Sequence, residues 1–173
     1  MKSRTLLLCL AAGFLHSTAP AADPAPKPDR ERLQKALAAE RFWTEPPKLA
    51  WTQSEKDLIN EMSATGTDPA VRLRATKLLI DFEGKGRCGE GQFPIVVAGF
   101  RHMEEHSKEP AIRKLLAGPR LTHYTVSTKG DGSLWLLVES VAPQANRGGI
   151  NLQWDAAKSK VVAMQVWGEL GGN

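Results

Sequence analysis

Two histidines and a glutamate near the middle of the chain have the spacing of a metal site. The segment reads His102-Met103-Glu104-Glu105-His106, which places two imidazoles four residues apart. On a helix, that spacing brings both side chains to one face, and imidazole nitrogens are common zinc ligands. A glutamate beside such a site can act as the general base toward a zinc-bound water. His102 and His106 are therefore candidate metal ligands, and Glu105 is a candidate catalytic residue.

This pattern, H-x-x-E-H, resembles the helical zinc motif of the inverted zinc metallopeptidases. The resemblance implies that His102 and His106 bind zinc and that Glu105 is catalytic. Those enzymes supply a third, acidic ligand from far downstream, where this chain has the pattern of strands and not of a helix. Helical geometry also allows a simpler alternative, in which both histidines face away from the apolar side formed by Phe100 and Met103 and lie in solvent. We therefore expect no metal or other cofactor, with zinc as the alternative.

A glycine-rich segment carries a second group of candidates. Residues 84–89 read Gly-Lys-Gly-Arg-Cys-Gly, which matches G-x-G-x-x-G. Dinucleotide binding requires a strand before this pattern and a helix after it, whereas here the predicted order is reversed. We interpret the segment as a mildly basic loop in which Lys85 and Arg87 contact an anionic ligand or a partner. Cys88 lies beside the Arg87 charge, which favours a reactive thiolate, but no base for catalysis can be assigned.

Two further candidates lie on predicted strands. His123 alternates with Tyr124, so their side chains point to opposite faces, and His123 would line a cavity if the sheet curves. Tyr124 is expected to pack inward. Trp135 shares a face with Leu137, and both become an interaction patch if the helices leave that face uncovered. The candidate ligand- or partner-binding residues are thus Lys85, Arg87, Cys88, His123 and Trp135.

The N-terminus has the features of a secretory signal peptide. Lys2 and Arg4 precede an uncharged apolar run at residues 6–15, too short to span a bilayer, and Ala19-Pro20-Ala21 fits signal peptidase. We therefore expect residues 1–21 to be a signal peptide, residues 22–28 a proline-rich linker, and the mature protein to be secreted or periplasmic in a bacterium. Acylation at Cys9 is the less favoured alternative, because few apolar residues precede it.

Composition narrows the class of protein. The 173 residues are 42% hydrophobic and 24% charged, which excludes a disordered chain, a fibre and a polytopic membrane protein. Signal removal would take Lys2 and Arg4 and lower the formal net charge from +4 to +2, and no basic cluster indicates a nucleic-acid partner. Cys88 would be the one cysteine left, so an internal disulfide is not expected. No serine nucleophile elbow, P-loop or paired-cysteine metal site is present.

The first half of the chain predicts helices. One is expected from Arg30 to about Phe42, with a thin apolar stripe suited to an arm or to loose packing. Thr52 precedes Glu55 at capping-box spacing, and Asp68 precedes a proline at the favoured first helical position. In that third helix we expect Val71, Ala75, Leu78, Leu79 and Phe82 to form the buried stripe. Arg72, Arg74 and Lys77 are expected on a solvated face.

The second half predicts mainly strands. Residues 92–98 contain a β-branched run and predict a strand, which Pro94 places at the edge of the sheet. Residues 99–117 then predict one or two helices. Four strand-like runs follow at residues 121–128, 133–141, 149–155 and 160–167. The second of these is apolar on both faces and should be central in the sheet.

These elements predict one α+β domain over residues 29–173. N-terminal helices would pack on a C-terminal sheet of four to five mostly antiparallel strands, able to curve. The order of elements is similar to that of cystatin-like and nuclear-transport-factor-2-like folds. We expect a noncatalytic binding protein that engages another envelope or secreted protein, as an inhibitor or immunity protein does. The alternatives are a small-ligand or enzymatic pocket with His123, Tyr124 and Trp135 near its mouth, and a zinc hydrolase built on residues 102–106.

Overall fold

In the part of the chain that the structure describes, five helices are followed, with one exception, by the strands of a single sheet. The structure is a computed structural model that describes residues 30–66, 68–118, 120–140 and 147–168. In order, the elements are α1 (Arg30–Ala38), α2 (Gln53–Thr65), α3 (Pro69–Phe82), β1 (Gly86–Arg87), α4 (Phe93–Glu105), α5 (Pro110–Ala117), β2 (His123–Thr128), β3 (Leu134–Glu139), β4 (Gly148–Asp155) and β5 (Lys160–Gly168). The α+β prediction is confirmed. The predicted signal peptide and linker lie outside the described residues.

Membrane-spanning potential can be judged for the same ranges. Within them, none of the helices combines the length and the apolar character that crossing a bilayer requires.

Local signals at the helix starts behave as the sequence predicts. The Thr52 hydroxyl accepts a hydrogen bond from the Glu55 amide at 3.2 Å, and the Asp68 carboxylate accepts one from the Ala70 amide at 2.8 Å. Both bonds satisfy amides that a helix leaves unpaired in its first turn. These caps fix where α2 and α3 begin.

The five strands are hydrogen-bonded in chain order. β1 pairs with β2 in parallel, and the other three pairings are antiparallel. β3 is the middle strand, as its apolar character on both faces predicts. Its inward-facing Leu136 lies between Val126 of β2 and Leu152 of β4, and all three side chains are buried.

The predicted edge strand at residues 92–98 is wrong, because this segment is the start of α4. Pro94 lies in the first helical turn, where a missing amide proton costs nothing. Ile95, Val96, Phe100 and Met103 are then buried at helical spacing. Contact with the core therefore overrides the local strand preference of the β-branched run. The fifth strand is instead β1, within the glycine-rich segment.

Two apolar clusters fill the interior, and α3 contributes to both. The sheet core joins the inner face of the sheet to α3, α4 and α5, and the helical core joins α1, α2 and the other side of α3. Leu33 and Leu37 of α1 are almost fully buried in the helical core. The prediction of a loosely packed arm is therefore wrong, and α1 ends at Ala38, before Phe42.

Helix α3 also departs from the predicted division into apolar and solvated faces. Arg74 and Lys77 are each 7% exposed, although both were expected in solvent. Arg74 is buried against a carboxylate from α4, and Lys77 pairs with Asp81. Conversely, Phe82 is 42% exposed and its ring stacks on Trp51 at 4.3 Å between centroids. Because α3 packs on two sides, a single buried stripe does not describe it.

Candidate functional site

The sheet has an inner face, packed on helices, and an outer face turned away from them. Inner-face residues such as Val138 and Ile150 belong to the same buried cluster as Phe100 of α4 and Ile112 of α5. Strand side chains alternate between faces, so the neighbours of these residues define the outer face. Its three central rows contain Arg87, His123, Thr125, Ser127, Trp135, Leu137, Glu139, Gly149, Asn151, Gln153, Ala163, Gln165 and Trp167.

The two tryptophans of the outer face are held by their surroundings. Trp135 donates its indole N–H to the Ser133 hydroxyl at 2.8 Å, and Ser133 donates to the Asp131 carboxylate at 2.7 Å. The bonds from Ser133 hold the pKa of Asp131 below its usual value. Trp167 lies over Gly149, where an added Cβ would come within 2.8 Å of the ring. Both rings are thus placed on the face by contacts within the sheet and its turn.

The outer face is poor in charge. Among the residues in its central rows, Arg87 and Glu139 are the permanently charged ones, and neither forms an ion pair within the described part of the chain. His123 lies half-buried with its Nδ1 atom 2.8 Å from the Thr122 hydroxyl. Aromatic residues combined with few charges are typical of the centre of a protein interface.

The structure brings together three of the five predicted binding candidates. Arg87 pairs with Thr125 in β2, so it shares the outer face with His123 and Trp135. Lys85 precedes β1 and pairs with Glu83 at 2.7 Å, and Cys88 is exposed beyond the end of β1. These two residues are not part of the face. As far as the described helices are concerned, the condition set by the sequence for Trp135 and Leu137 is met, because α4 and α5 pack on the inner face.

Two features of this face were not predicted from the sequence, namely the presence of Trp167 and the place of Arg87 on a strand. Trp167 is not among the candidates drawn from the sequence, although it shares one strand face with Gln165 and Ala163, and a polar and a small residue on that face were the signal for partial exposure. Arg87 joins the face because β1 pairs with β2. A strand of two residues inside a glycine-rich segment has no sequence signal of its own.

Tyr124 explains why the glycine-rich segment contains Gly86. The two residues pair on the inner face, and a Cβ on Gly86 would lie 2.1 Å from the tyrosine ring. The Tyr124 hydroxyl donates to Asp81 at 2.8 Å, and Asp81 also pairs with Lys77. Burial and the hydrogen bond to Asp81 raise the pKa of the phenol. Close packing therefore accounts for this glycine, and part of the predicted loop is a strand.

The second group of residues is the histidine cluster, defined as His102, Glu105 and His106. One ligand atom from each side chain lies within 4.8 Å of the other two. The two imidazole centroids are 4.0 Å apart, and the pKa of His102 is lowered by burial and then by the neighbouring His106. Both histidines are half-buried, whereas Phe100 and Met103 on the same helix are buried.

Three cavities described for this chain lie elsewhere. The largest, about 390 Å³, lies between α1, α2 and the start of α3, where Gln34, Met62 and Val71 form part of its wall. The others, about 100 and 190 Å³, are also lined by helices and their connections. His123 and Trp135 lie on the outer face and Tyr124 on the inner face, so these three do not line one pocket.

The outer face and the histidine cluster are therefore the two arrangements from which function can be inferred. Both contain residues that the sequence identified as candidates, and both lie on the surface. Comparison of the chain with family models, curated proteins and solved structures finds no match.

Proposed function

We propose that this protein is exported and binds another protein, without catalysing a reaction, through the outer face of its sheet. The observation that carries the proposal is the grouping of Trp135, Leu137 and Trp167 on a face with few charges, opposite the helices. Export is supported by the basic, apolar and small-residue segments within residues 1–21. An inhibitor or immunity role is one form that such binding takes.

The physical argument rests on how the tryptophans are presented. Large aromatic side chains carry much of the energy of protein interfaces, and truncating such a residue commonly costs about 2 kcal/mol or more of binding energy. Trp135 is already tied to Ser133, and Trp167 rests on Gly149. Because these rings are held before binding, little side-chain entropy is lost when a partner covers them.

Charge defines the chemistry of the expected partner. Arg87 at the β1 edge and Glu139 on β3 have no ion-pair partner among the described residues. A partner surface that covers the face would remove water from both groups, which is costly without a compensating charge. We therefore expect an apolar partner surface flanked by a carboxylate opposite Arg87 and a cationic or hydrogen-bond-donating group opposite Glu139.

Site-specific photocross-linking in the producing cells tests the proposal. A photoreactive amino acid at Ala163, exposed on the outer face, is compared with one at Ala111, exposed on α5. We expect one heterologous adduct of defined mass from Ala163 and none from Ala111. Trp135→Ala should lower the adduct yield about 10-fold or more.

A second aromatic substitution shows whether the loss of any exposed aromatic ring lowers the adduct yield. Phe93→Ala removes a ring that is 47% exposed on α4, and it should leave the yield unchanged. Adducts from Ala111 alone would place the interface on the helices. An adduct with the N-terminal segment of the same chain, or with a second copy of the chain, would contradict the proposal. It would show that this segment or this copy covers the outer face instead of a different protein.

Export has a separate test. We expect the intact mass of the protein recovered from the envelope or medium to correspond to a chain that begins at Ala22. Ala21→Asp should leave an uncleaved precursor, because the residue before the cleavage site must be small. Full-length wild-type protein retained in the cytoplasm would contradict export. The binding proposal would not be affected, because the cross-linking experiment tests it separately.

A further inference from the structure

We propose that the histidine cluster at the end of α4 is a surface site for Zn²⁺, in which His102, Glu105 and His106 are the protein ligands. The site is separate from the proposed docking face, because it belongs to α4, which packs on the inner face of the sheet. It also assigns Glu105 a role as ligand, not as the base that the peptidase motif implies.

The orientation of His106 is already that of a metal ligand. Its Nδ1 atom lies 2.8 Å from the carbonyl oxygen of His102. A carbonyl only accepts hydrogen bonds, so Nδ1 carries the proton and donates it, which leaves the Nε2 lone pair free. Metal-binding histidines are commonly oriented by such a bond from their second nitrogen to a backbone carbonyl.

The distances require only small side-chain movements. Ligand atoms around a tetrahedral zinc ion, each about 2.0–2.1 Å from the metal, lie roughly 3.4 Å apart. The three atoms here lie within 4.8 Å of one another, and the side chains are exposed or half-buried. The backbone beneath them is fixed by Phe100 and Met103, which are buried in the sheet core. Side-chain rotations that bring the ligand atoms roughly 1–2 Å closer together therefore suffice.

One competing interaction must be broken. The Glu105 carboxylate accepts a hydrogen bond from Arg101 Nε at 3.1 Å, with both side chains more than half exposed. Exposed pairs of this kind contribute at most about 1 kcal/mol, so the metal can displace the arginine. Glu109 supplies a second negative charge, with its carboxylate 3.9 Å from His106 Nε2. The acidic groups thus favour a cation despite the nearby guanidinium.

The donor set selects the class of metal. Two imidazole nitrogens and one carboxylate suit zinc and related transition metals, whereas Mg²⁺ and Ca²⁺ prefer oxygen ligands. Three protein ligands leave a fourth position for water. None of the three described cavities is lined by these residues, so the proposal is for metal binding and does not include substrate turnover.

Calorimetric titration of untagged protein with Zn²⁺ tests the site. We expect one ion per chain, and we expect His102→Ala and His106→Ala each to weaken the affinity about 10-fold or more. Glu105→Gln should weaken it as well. Arg101→Gln should strengthen binding, because it frees Glu105 and removes a positive charge. Mg²⁺ should give no binding at the same concentrations.

The matched control for Glu105 is Glu45→Gln. Glu45 forms the same kind of exposed i,i+4 pair, with Arg41 at 3.5 Å, and its substitution should not change the affinity. Circular dichroism of each variant reports whether the fold is kept. Zinc binding that is absent at about 1 mM, or that keeps wild-type affinity in a folded His102→Ala/His106→Ala double variant, would overturn the assignment.

Discussion

At the scale of single residues, Tyr124 connects three parts of the fold. Its ring packs against Gly86 of β1, its hydroxyl donates to Asp81 of α3, and its edge contacts Phe100 of α4 at 6.2 Å between centroids. The sequence predicted that Tyr124 packs inward, and this is confirmed. It did not predict the bond to Asp81, because residues 43 positions apart in the chain have no common local pattern.

The raised pKa of Tyr124 predicts how stability depends on alkaline pH. The unfolded chain loses the phenol proton near pH 10, whereas the fold holds it to higher pH. The contribution is therefore complete below about pH 10 and declines above it, by up to about 1.4 kcal/mol of unfolding free energy per pH unit. Urea unfolding across this range should show that decline.

Tyr124→Phe supplies the comparison, since the chain has a single tyrosine. The variant should lose about 1.5–3 kcal/mol at neutral pH, because Asp81 loses a hydrogen bond. Its stability should also lack the tyrosine-dependent part of the alkaline decline. A native-state ultraviolet titration in which the phenol ionises near pH 10 would contradict the prediction.

At the scale of elements, a buried ion pair joins α3 to α4. Arg74 makes two hydrogen bonds to the Glu104 carboxylate, at 2.8 and 2.5 Å, and others to the carbonyl oxygens of Leu37 and Ala39. Glu104 also accepts from the Trp43 indole at 2.8 Å. The end of α1, the following turn and two further helices thus share one charged centre.

Arg74→Ala should therefore destabilise the protein strongly. It leaves Glu104 largely buried without its counter-charge and frees two carbonyl oxygens, for which a loss of about 3–5 kcal/mol of unfolding free energy is expected. Chemical denaturation measures the change. The control is Arg41→Ala, which breaks an exposed pair and should cost no more than about 1 kcal/mol. Equal effects of the two substitutions would show that burial does not govern the Arg74 pair.

The elements also show where sequence prediction succeeds. Caps at Thr52 and Asp68 and the strand-like runs of β3 and β4 are local signals, so the starts of α2 and α3 and the central strands could be predicted. The start of α4 could not, because its β-branched residues favour a strand locally and become helical through contacts with distant strands. The burial of Arg74 likewise depends on Glu104, 30 residues away.

At the scale of the whole molecule, the sequence identified individual candidate residues but not their grouping. Arg87, His123 and Trp135 come from three strands, and the register that aligns them depends on β1, which is two residues long. The histidine cluster is different, because its three members lie within five positions of one helix end. Local spacing was enough to predict that grouping, whereas the outer face required the complete sheet.

The two cores are joined closely enough that they should unfold together. Leu73 and Ile80 of α3 lie in the sheet core, while Leu79 of the same helix lies in the helical core. Trp43 is packed against both clusters. Packing on both sides fixes the position of this helix. Loss of packing in one core therefore also weakens the packing of the helix in the other core.

Leu79→Ala should therefore weaken the sheet although it removes contacts from the helical core. We expect a loss of about 2–5 kcal/mol, and the protection of the β3 amides against hydrogen exchange should fall by the same free energy. Phe93→Ala, at an exposed position on α4 where the ring lies 4.4 Å from Lys77 Nζ, should cost no more than about 1 kcal/mol. If the β3 amides keep wild-type protection in Leu79→Ala, the helical core unfolds independently of the sheet. The contacts of α3 with both cores would then not couple their unfolding.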